Sequence, residues 1–143
     1  MKTAQWVGRG LPLILVAMIG LVVWMNAQRR EPSPPVTTAC PDLVAGCTVM
    51  AGGRHIRLGT DQTIKPLKPF AIRVEAKGVA KVEARFTMEG MDMGFNVYTL
   101  RADSQGVFRT TATLPVCVSG RCDWIMTLDV DDTRIAVPFV TEL

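Results

Sequence analysis

The side chains of this chain that are best suited to specific chemistry carry sulfur, and three methionines cluster within FTMEGMDMGFNVY, residues 86–98. Met88, Met91 and Met93 fall within six consecutive residues. Copper(I) is a soft ion that accepts thioether ligands, whereas water and carboxylate oxygen compete poorly for it. Methionine also persists as a ligand in an oxidising compartment, where a free cysteine is consumed. The spacing therefore predicts a candidate copper(I) site at Met88, Met91 and Met93.

The same methionines have simpler interpretations, which the sequence leaves open. Met88 continues an alternating apolar pattern that begins at Val82, so it can be an ordinary core residue. Met91 and Met93 can instead form a flexible apolar edge or a surface that contacts another protein. His55, the only histidine in the chain, can serve as a fourth donor only if the fold brings it close to them.

The four cysteines all follow the apolar N-terminal segment, and their even number favours an oxidising compartment. Cys117 and Cys122 bracket a four-residue loop, and the flanking residues of such a hairpin lie within disulfide distance. Cys40 and Cys47 bracket a turn-rich segment that can also close on itself. Of the three possible connectivities we favour these two local pairs, each stabilising by roughly 2 kcal/mol. Thiols for redox exchange or copper are the alternative, although neither spacing is Cys-x-x-Cys.

Enzymatic and nucleic-acid functions find little support in the sequence. It shows one histidine, no Ser/His/Asp grouping and no glycine-rich phosphate loop, so we expect a protein that is not an enzyme and has no small-molecule substrate. Asp131-Asp132 is better explained as a hairpin turn than as an acid/base pair. Four basic residues flank the apolar segment, and the rest has twelve basic against thirteen acidic residues, which does not indicate a nucleic-acid binder.

The N-terminal part of the chain predicts a membrane anchor. Residues 10–28 contain no charged side chain, and nineteen helical residues span about 28 Å, close to the hydrocarbon thickness of a bilayer. A cleaved signal peptide is the alternative, but Met25-Asn26-Ala27 is a poor cleavage site and the apolar run is long. A lipoprotein is disfavoured because Cys40 lies well past that run. We expect residues 1–9 in the cytoplasm and the C-terminal part outside it.

The remaining chain predicts a spacer and one β domain. Residues 29–39 are proline-rich and suit an extended linker. Residues 40–143 then contain about seven short alternating segments separated by turn residues, at 54–58, 70–76, 82–88, 93–101, 107–114, 124–130 and 134–140. This pattern is typical of an all-β, immunoglobulin-like antiparallel β-sandwich.

Taken together, the single anchor, the proline spacer, FTMEGMDMGFNVYTL, GVFRTTATLPVCVSGRCDW and RIAVPFV resemble a family. They are similar to small membrane-anchored periplasmic proteins of the FixH- and YtkA-like type. The resemblance implies a single-pass protein of a bacterial inner membrane with its C-terminal domain in the periplasm. It further implies copper binding or copper-centre assembly beside haem–copper oxidase subunits or copper chaperones. The alternatives are an interaction module that packs on a respiratory oxidase without metal, and a sandwich that tethers a neighbour with inert methionines.

Overall fold

A computed structural model describes residues 4–27, 34–88, 96–116 and 121–142 of this chain, with the side chains of residues 14–25 in the N-terminal helix. The chain divides into two compact units, Met1–Glu31 and Pro32–Leu143. Each unit is described by itself below. The predicted methionine ligands Met91 and Met93 and the predicted disulfide partner Cys117 lie outside the described residues.

The first unit contains one helix, α1, which runs from Ala4 to Ala27. The helix begins before the predicted segment 10–28 and covers most of it, so the helical part of that prediction is confirmed. Within the described residues, no helix has both the length and the apolar character that crossing a membrane requires.

The second unit is built of β-strands, which confirms the all-β prediction at this level. Each of the seven predicted segments contains a strand, with residues 93–95 of the segment 93–101 outside the described residues, and two further strands, β1 and β2, precede them. The nine strands of the described chain are β1 (Val36–Thr37), β2 (Cys47–Ala51), β3 (Arg54–Thr60), β4 (Phe70–Ala76), β5 (Val82–Met88), β6 (Val97–Ala102), β7 (Val107–Ala112), β8 (Arg121–Val130) and β9 (Thr133–Glu142).

Strand β1 lies inside the segment predicted to be a proline-rich linker. Val36 pairs in parallel register with Ile135 of β9, and Thr37 pairs with Ala136. The backbone N–H of Thr38 continues this pairing by donating to the carbonyl oxygen of Ala136 at 2.9 Å. Part of the predicted linker therefore forms a strand at the edge of the sheet. The sequence does not indicate this strand, because two residues are too few to show an alternating pattern.

The strands follow the order β1-β9-β8-β5-β6-β7-β4-β3-β2 in one continuous sheet. Apart from the parallel β1–β9 pair, neighbouring strands are antiparallel. We call β9, β8 and β5 the β5 side and β7, β4 and β3 the β4 side; β6 joins the two. The sheet curls so that both sides share one core, because the rings of Phe70 in β4 and Phe86 in β5 meet edge to face at 5.8 Å.

The strict alternation of side chains explains why these sequences fold as strands with one buried face. Along β8, every second residue from Cys122 to Val130 is buried, and the residues between them are exposed or half-buried. Strand β4 behaves in the same way, with Phe70, Ile72 and Val74 almost completely buried. Because side chains in a strand alternate between its two faces, each strand contributes one row to the shared core and one row to an outer face.

Candidate functional site

Met88 is the one predicted copper ligand that the structure describes. It ends β5 and lies opposite Trp124 of β8 in the antiparallel register. Its side chain is half-buried and packs against the core, in the same inward phase as Val82 and Phe86. The sequence-based interpretation that Met88 continues the inward row is therefore confirmed. Its role as a ligand remains a prediction.

The described residues around Met88 are largely aromatic. Phe86, two residues earlier on the same face, meets the rings of Tyr98 at 6.0 Å and Phe139 at 6.2 Å, both edge to face. The buried indole of Trp124 donates from Nε1 to Oγ1 of Thr141 at 3.1 Å. Because that N–H already has an acceptor, the wall next to Met88 offers ring edges and aliphatic carbon, which are compatible with a soft thioether sulfur.

The structure does not bring His55 close to Met88. Its neighbour Arg54 forms an ion pair with Asp131, Nη1 to Oδ2 at 3.3 Å, and Asp131 accepts a hydrogen bond from the backbone of Lys81, just before β5. Met88 ends that same strand, six residues and about 20 Å from its beginning. His55 therefore lies towards the opposite end of the β domain, so the condition under which it could serve as a fourth donor is not met at Met88.

The described cysteines are oxidised, which supports a structural role and not a thiolate copper site. Cys40 and Cys47 form a disulfide with their Cα atoms 5.8 Å apart, as the local pairing predicts. Cys122 is also disulfide-bonded. Its predicted partner, Cys117, lies outside the described residues. A disulfide sulfur is not a thiolate, so Cys40, Cys47 and Cys122 supply no soft anionic ligand in this state.

Hard-ligand metal sites are also missing from the described ranges. They contain no group of three or more His, Cys, Asp or Glu side chains that could hold a metal ion. Thioether sulfur lies outside that set of donors, so this finding bears on zinc-like or calcium-like sites and leaves the methionine hypothesis as it stands.

Asp131 organises the end of the domain that lies away from Met88. Its carboxylate accepts backbone N–H groups of Lys81 at 2.9 Å and Ala80 at 3.1 Å, and the Arg54 guanidinium at 3.3 Å. The N–H of Lys81 is the main cause that lowers the pKa of Asp131 below its ordinary value of 3.8, and burial opposes the shift. The predicted Asp131-Asp132 turn is thus confirmed, and Asp131 additionally ties the β8–β9 turn to β3 and to the start of β5.

A row of arginines on the outer face of the β4 side is a feature that the sequence did not reveal. Arg73 of β4 lies directly opposite Arg109 of β7, and Arg109 lies directly opposite Arg101 of β6. The three residues are 28 and 8 positions apart in the chain, so no local motif links them. Only the register of three strands places them side by side.

Comparisons with known proteins leave the resemblance untested. Neither a family model, nor a curated protein, nor a solved structure matches this chain.

Proposed function

We propose that this chain is a membrane-anchored, extracytoplasmic β domain that holds copper(I) through Met88, Met91 and Met93. In this role it supports copper-centre assembly in a haem–copper oxidase, as its resemblance to FixH- and YtkA-like proteins implies. The curled sheet with a shared core supports the finer proposal of an immunoglobulin-like sandwich. The Cys40–Cys47 disulfide supports an oxidising compartment such as the bacterial periplasm.

The position of Met88 is the observation that carries the copper proposal. Its side chain is fixed at the end of β5 by core packing and is still partly exposed. A ligand held by its surroundings loses little conformational freedom when it binds a metal, so one thioether is ready before copper arrives. Met91 and Met93 follow within five residues and share one face if that segment is extended.

A copper(I) titration of Pro32–Leu143 against a competing chelator tests the proposal. We expect one tightly bound ion, with binding lost in Met91→Ile and Met93→Ile, which keep apolar bulk but remove sulfur. Met50→Ile is the matched control, because Met50 lies on β2 with 58% of its surface exposed. Met88→Leu conserves volume and should weaken binding while leaving the fold intact.

Two outcomes would contradict this proposal. If the folded, disulfide-intact unit binds no copper(I), the methionine segment is not a metal site. If Met50→Ile abolishes binding and the other variants do not, the ion binds on β2, where Met50 lies directly opposite His55.

The membrane anchor is proposed on the uncharged residues 10–28, and it has its own test. The full chain expressed in bacteria should stay with the membrane after extraction at alkaline pH, and protease added to spheroplasts should digest the C-terminal unit. A chain released by the alkaline wash would contradict the anchor.

The alternative is an interaction module that docks on a respiratory oxidase without metal. Val97 and Val116 favour it, because these apolar residues are 39% and 45% exposed and could contact another protein. Partners would then co-purify with the full chain equally well from copper-replete and copper-starved cells. Copper-dependent co-purification would favour the metal proposal.

A further inference from the structure

The arginine row has an electrostatic cost that its own ion pairs do not remove. Arg73, Arg109 and Arg101 stand on adjacent strands in direct register, and like charges in directly opposite positions destabilise a sheet. Arg109 has a carboxylate partner, Asp103, at 3.1 Å from its Nε. Among the described residues, Arg73 and Arg101 form no ion pair. The row therefore presents guanidinium groups that remain free to bind an external anion.

Arg73 shows the most direct sign of a missing acceptor. Its residue is half-buried, and its Nε is a buried nitrogen without a hydrogen-bond partner in the described part of the protein. A buried donor that lacks an acceptor is unfavourable, and few such groups persist in folded proteins. An oxyanion that reaches Arg73 from the surface would supply acceptors to this guanidinium.

A shallow cup next to Arg73 gives such an anion room. The cup has a volume of about 210 Å³, and its walls include Arg57, Arg73 and Glu75. Gly46 and Gly59 also line it, where the turn before β2 packs closely on β3: a Cβ on Gly59 would lie 2.9 Å from the carbonyl oxygen of Leu43. The cup therefore lies beside the exposed side chain of Arg57 and the half-buried side chain of Arg73.

The charge of this surface differs from that of the domain as a whole. The arginine face, as we call it, carries five basic residues: Arg57, Arg73, Lys77, Arg101 and Arg109. Two carboxylates, Glu75 and Asp103, lie among them, which leaves three net positive charges. Residues 32–143 contain twelve basic and twelve acidic residues and are neutral overall. Positive charge is therefore concentrated on one face of a neutral domain.

The composition of the arginine face favours a phosphate-rich partner over a folded protein. Protein interfaces have cores enriched in aromatic residues and depleted in charge. On the arginine face, Arg57, Glu75 and Val107 form one row across β3, β4 and β7. Val107 is the apolar residue of this row, and it is half-buried. Arginine, by contrast, matches phosphate with a planar fork of donors and remains charged at every physiological pH.

We propose that the arginine face binds the headgroup phosphates of anionic phospholipids. The proposal rests on the proposed membrane anchor, which keeps a bilayer near the domain, and on the match in charge between the face and the lipid. Arg73 and Arg57 at the cup bind one phosphate, and Arg101 and Arg109 bind its neighbours. The domain thus lies with one defined face on the membrane, which leaves the β5 side available for the proposed oxidase contact.

Chemical footprinting of the full chain in lipid nanodiscs tests this proposal. Phenylglyoxal modifies accessible arginines, and mass spectrometry reads the rate at each site in discs of phosphatidylcholine with or without phosphatidylglycerol. We expect about fivefold slower modification of Arg73, Arg101 and Arg109 in the anionic discs. Arg85 is the internal control, because it lies on the outer face of the β5 side and should react equally in both.

Salt and a pair of matched variants sharpen the test. The protection should disappear at about 1 M salt, where the Debye length is only about 3 Å. Arg101→Gln should reduce the protection of Arg73 and Arg109, whereas Arg85→Gln removes the same charge from the other face and should leave it unchanged.

Three results would overturn the proposal. They are equal modification in both kinds of disc, equal protection of Arg85 and the row, and full protection by inorganic phosphate added to neutral discs at the concentration of lipid phosphate. The experiment contains no copper, so its failure leaves the copper titration untouched. If the chain does not enter the discs at all, the anchor fails, and the same footprint on added vesicles still decides the lipid proposal.

Discussion

The two outer faces of the β domain carry similar residues but arrange their charges in opposite ways. On the β5 side, opposite charges meet across strands. Arg134 of β9 binds Asp129 of β8 through two contacts, at 2.6 and 3.3 Å. On the β4 side, Arg73, Arg109 and Arg101 line up instead, and the described residues give the three one carboxylate contact. The strand register creates both the Arg134–Asp129 pair and the row of arginines.

This contrast teaches that paired opposite charges stabilise a sheet face by themselves, whereas a row of like charges indicates a binding partner outside the protein. The Lys81–Glu83 pair at 3.0 Å and the Arg121–Asp123 pair at 2.9 Å add pairs of opposite charge that lie two residues apart along the chain on the β5 side. Those pairs need no partner to be explained. Like charges in direct register are expected to destabilise the isolated domain, so we infer a binding partner as the physical reason for the arginine row. The predictions below test this difference, beginning with the core that both faces share.

Removing the ring that joins the two sides should have the largest effect. Phe86 is fully buried and touches the rings of Phe70, Tyr98 and Phe139. We expect Phe86→Ala to lower the free energy of unfolding by about 3–5 kcal/mol in urea denaturation of Pro32–Leu143. Phe139→Ala is the control, because this ring is only partly buried and should cost less. Equal losses would contradict the central packing role given to Phe86.

Removing the charge of Asp131, which accepts hydrogen bonds from Ala80, Lys81 and Arg54, should have the next largest effect. Asp131→Asn keeps a residue type that tolerates the positive φ of 50° found here, but it removes the charge. We expect a loss of about 1–2 kcal/mol at neutral pH, because hydrogen bonds to a charged acceptor are strong. The measurement is urea denaturation of the wild type and the variant.

The pH dependence of this loss has a definite sign. The backbone N–H of Lys81 lowers the pKa of Asp131 in the folded state, so its stabilisation is fully present above the ordinary value of 3.8. It is lost as the pH falls through the lowered pKa. The difference between wild type and Asp131→Asn should therefore shrink below pH 3.8. A difference that stays constant in acid would contradict the charge-based explanation.

Much of the fold was predictable because alternation is a local signal. The segments around Phe70, Phe86 and Trp124 show one buried side chain in every two residues, and each forms a strand. Strand β2 was missed because Cys47–Ala51 mixes apolar and small residues without clear alternation. Strand β1 was missed because two residues between prolines and threonines carry no periodicity.

The candidate site was less predictable, because sites depend on which strands meet. The inward phase of Met88 followed from the spacing, whereas the distance from His55 to Met88 depended on Asp131, which fixes the opposite end of the domain. The arginine row gave no sequence signal at all. Its members are separated by up to 36 residues, and a shift of one residue in the β4–β7 register would turn Arg109 away from Arg73.

Removing a paired charge on the β5 side should give a smaller loss. Asp129→Asn removes the bidentate carboxylate partner of Arg134, and both side chains are about a quarter exposed. We expect a decrease of about 0.5–1 kcal/mol in the free energy of unfolding, which becomes smaller as salt is added. A loss that does not depend on salt would mean that packing of the arginine stem, and not its charge, stabilises this face.

Removing an unpaired charge on the β4 side should have the smallest effect and the opposite sign. Arg101→Gln relieves the repulsion from Arg109 and should raise the free energy of unfolding by about 0.3 kcal/mol at low salt. At about 1 M salt the gain should vanish, because the charges are screened. Arg85→Gln is the matched control: Arg85 lies opposite the uncharged Thr127 and Val97, so no gain is expected there. If Arg101→Gln instead destabilises the domain at every salt concentration, the row contributes to the fold through its aliphatic stems. The contrast between the two faces would then no longer indicate a binding surface.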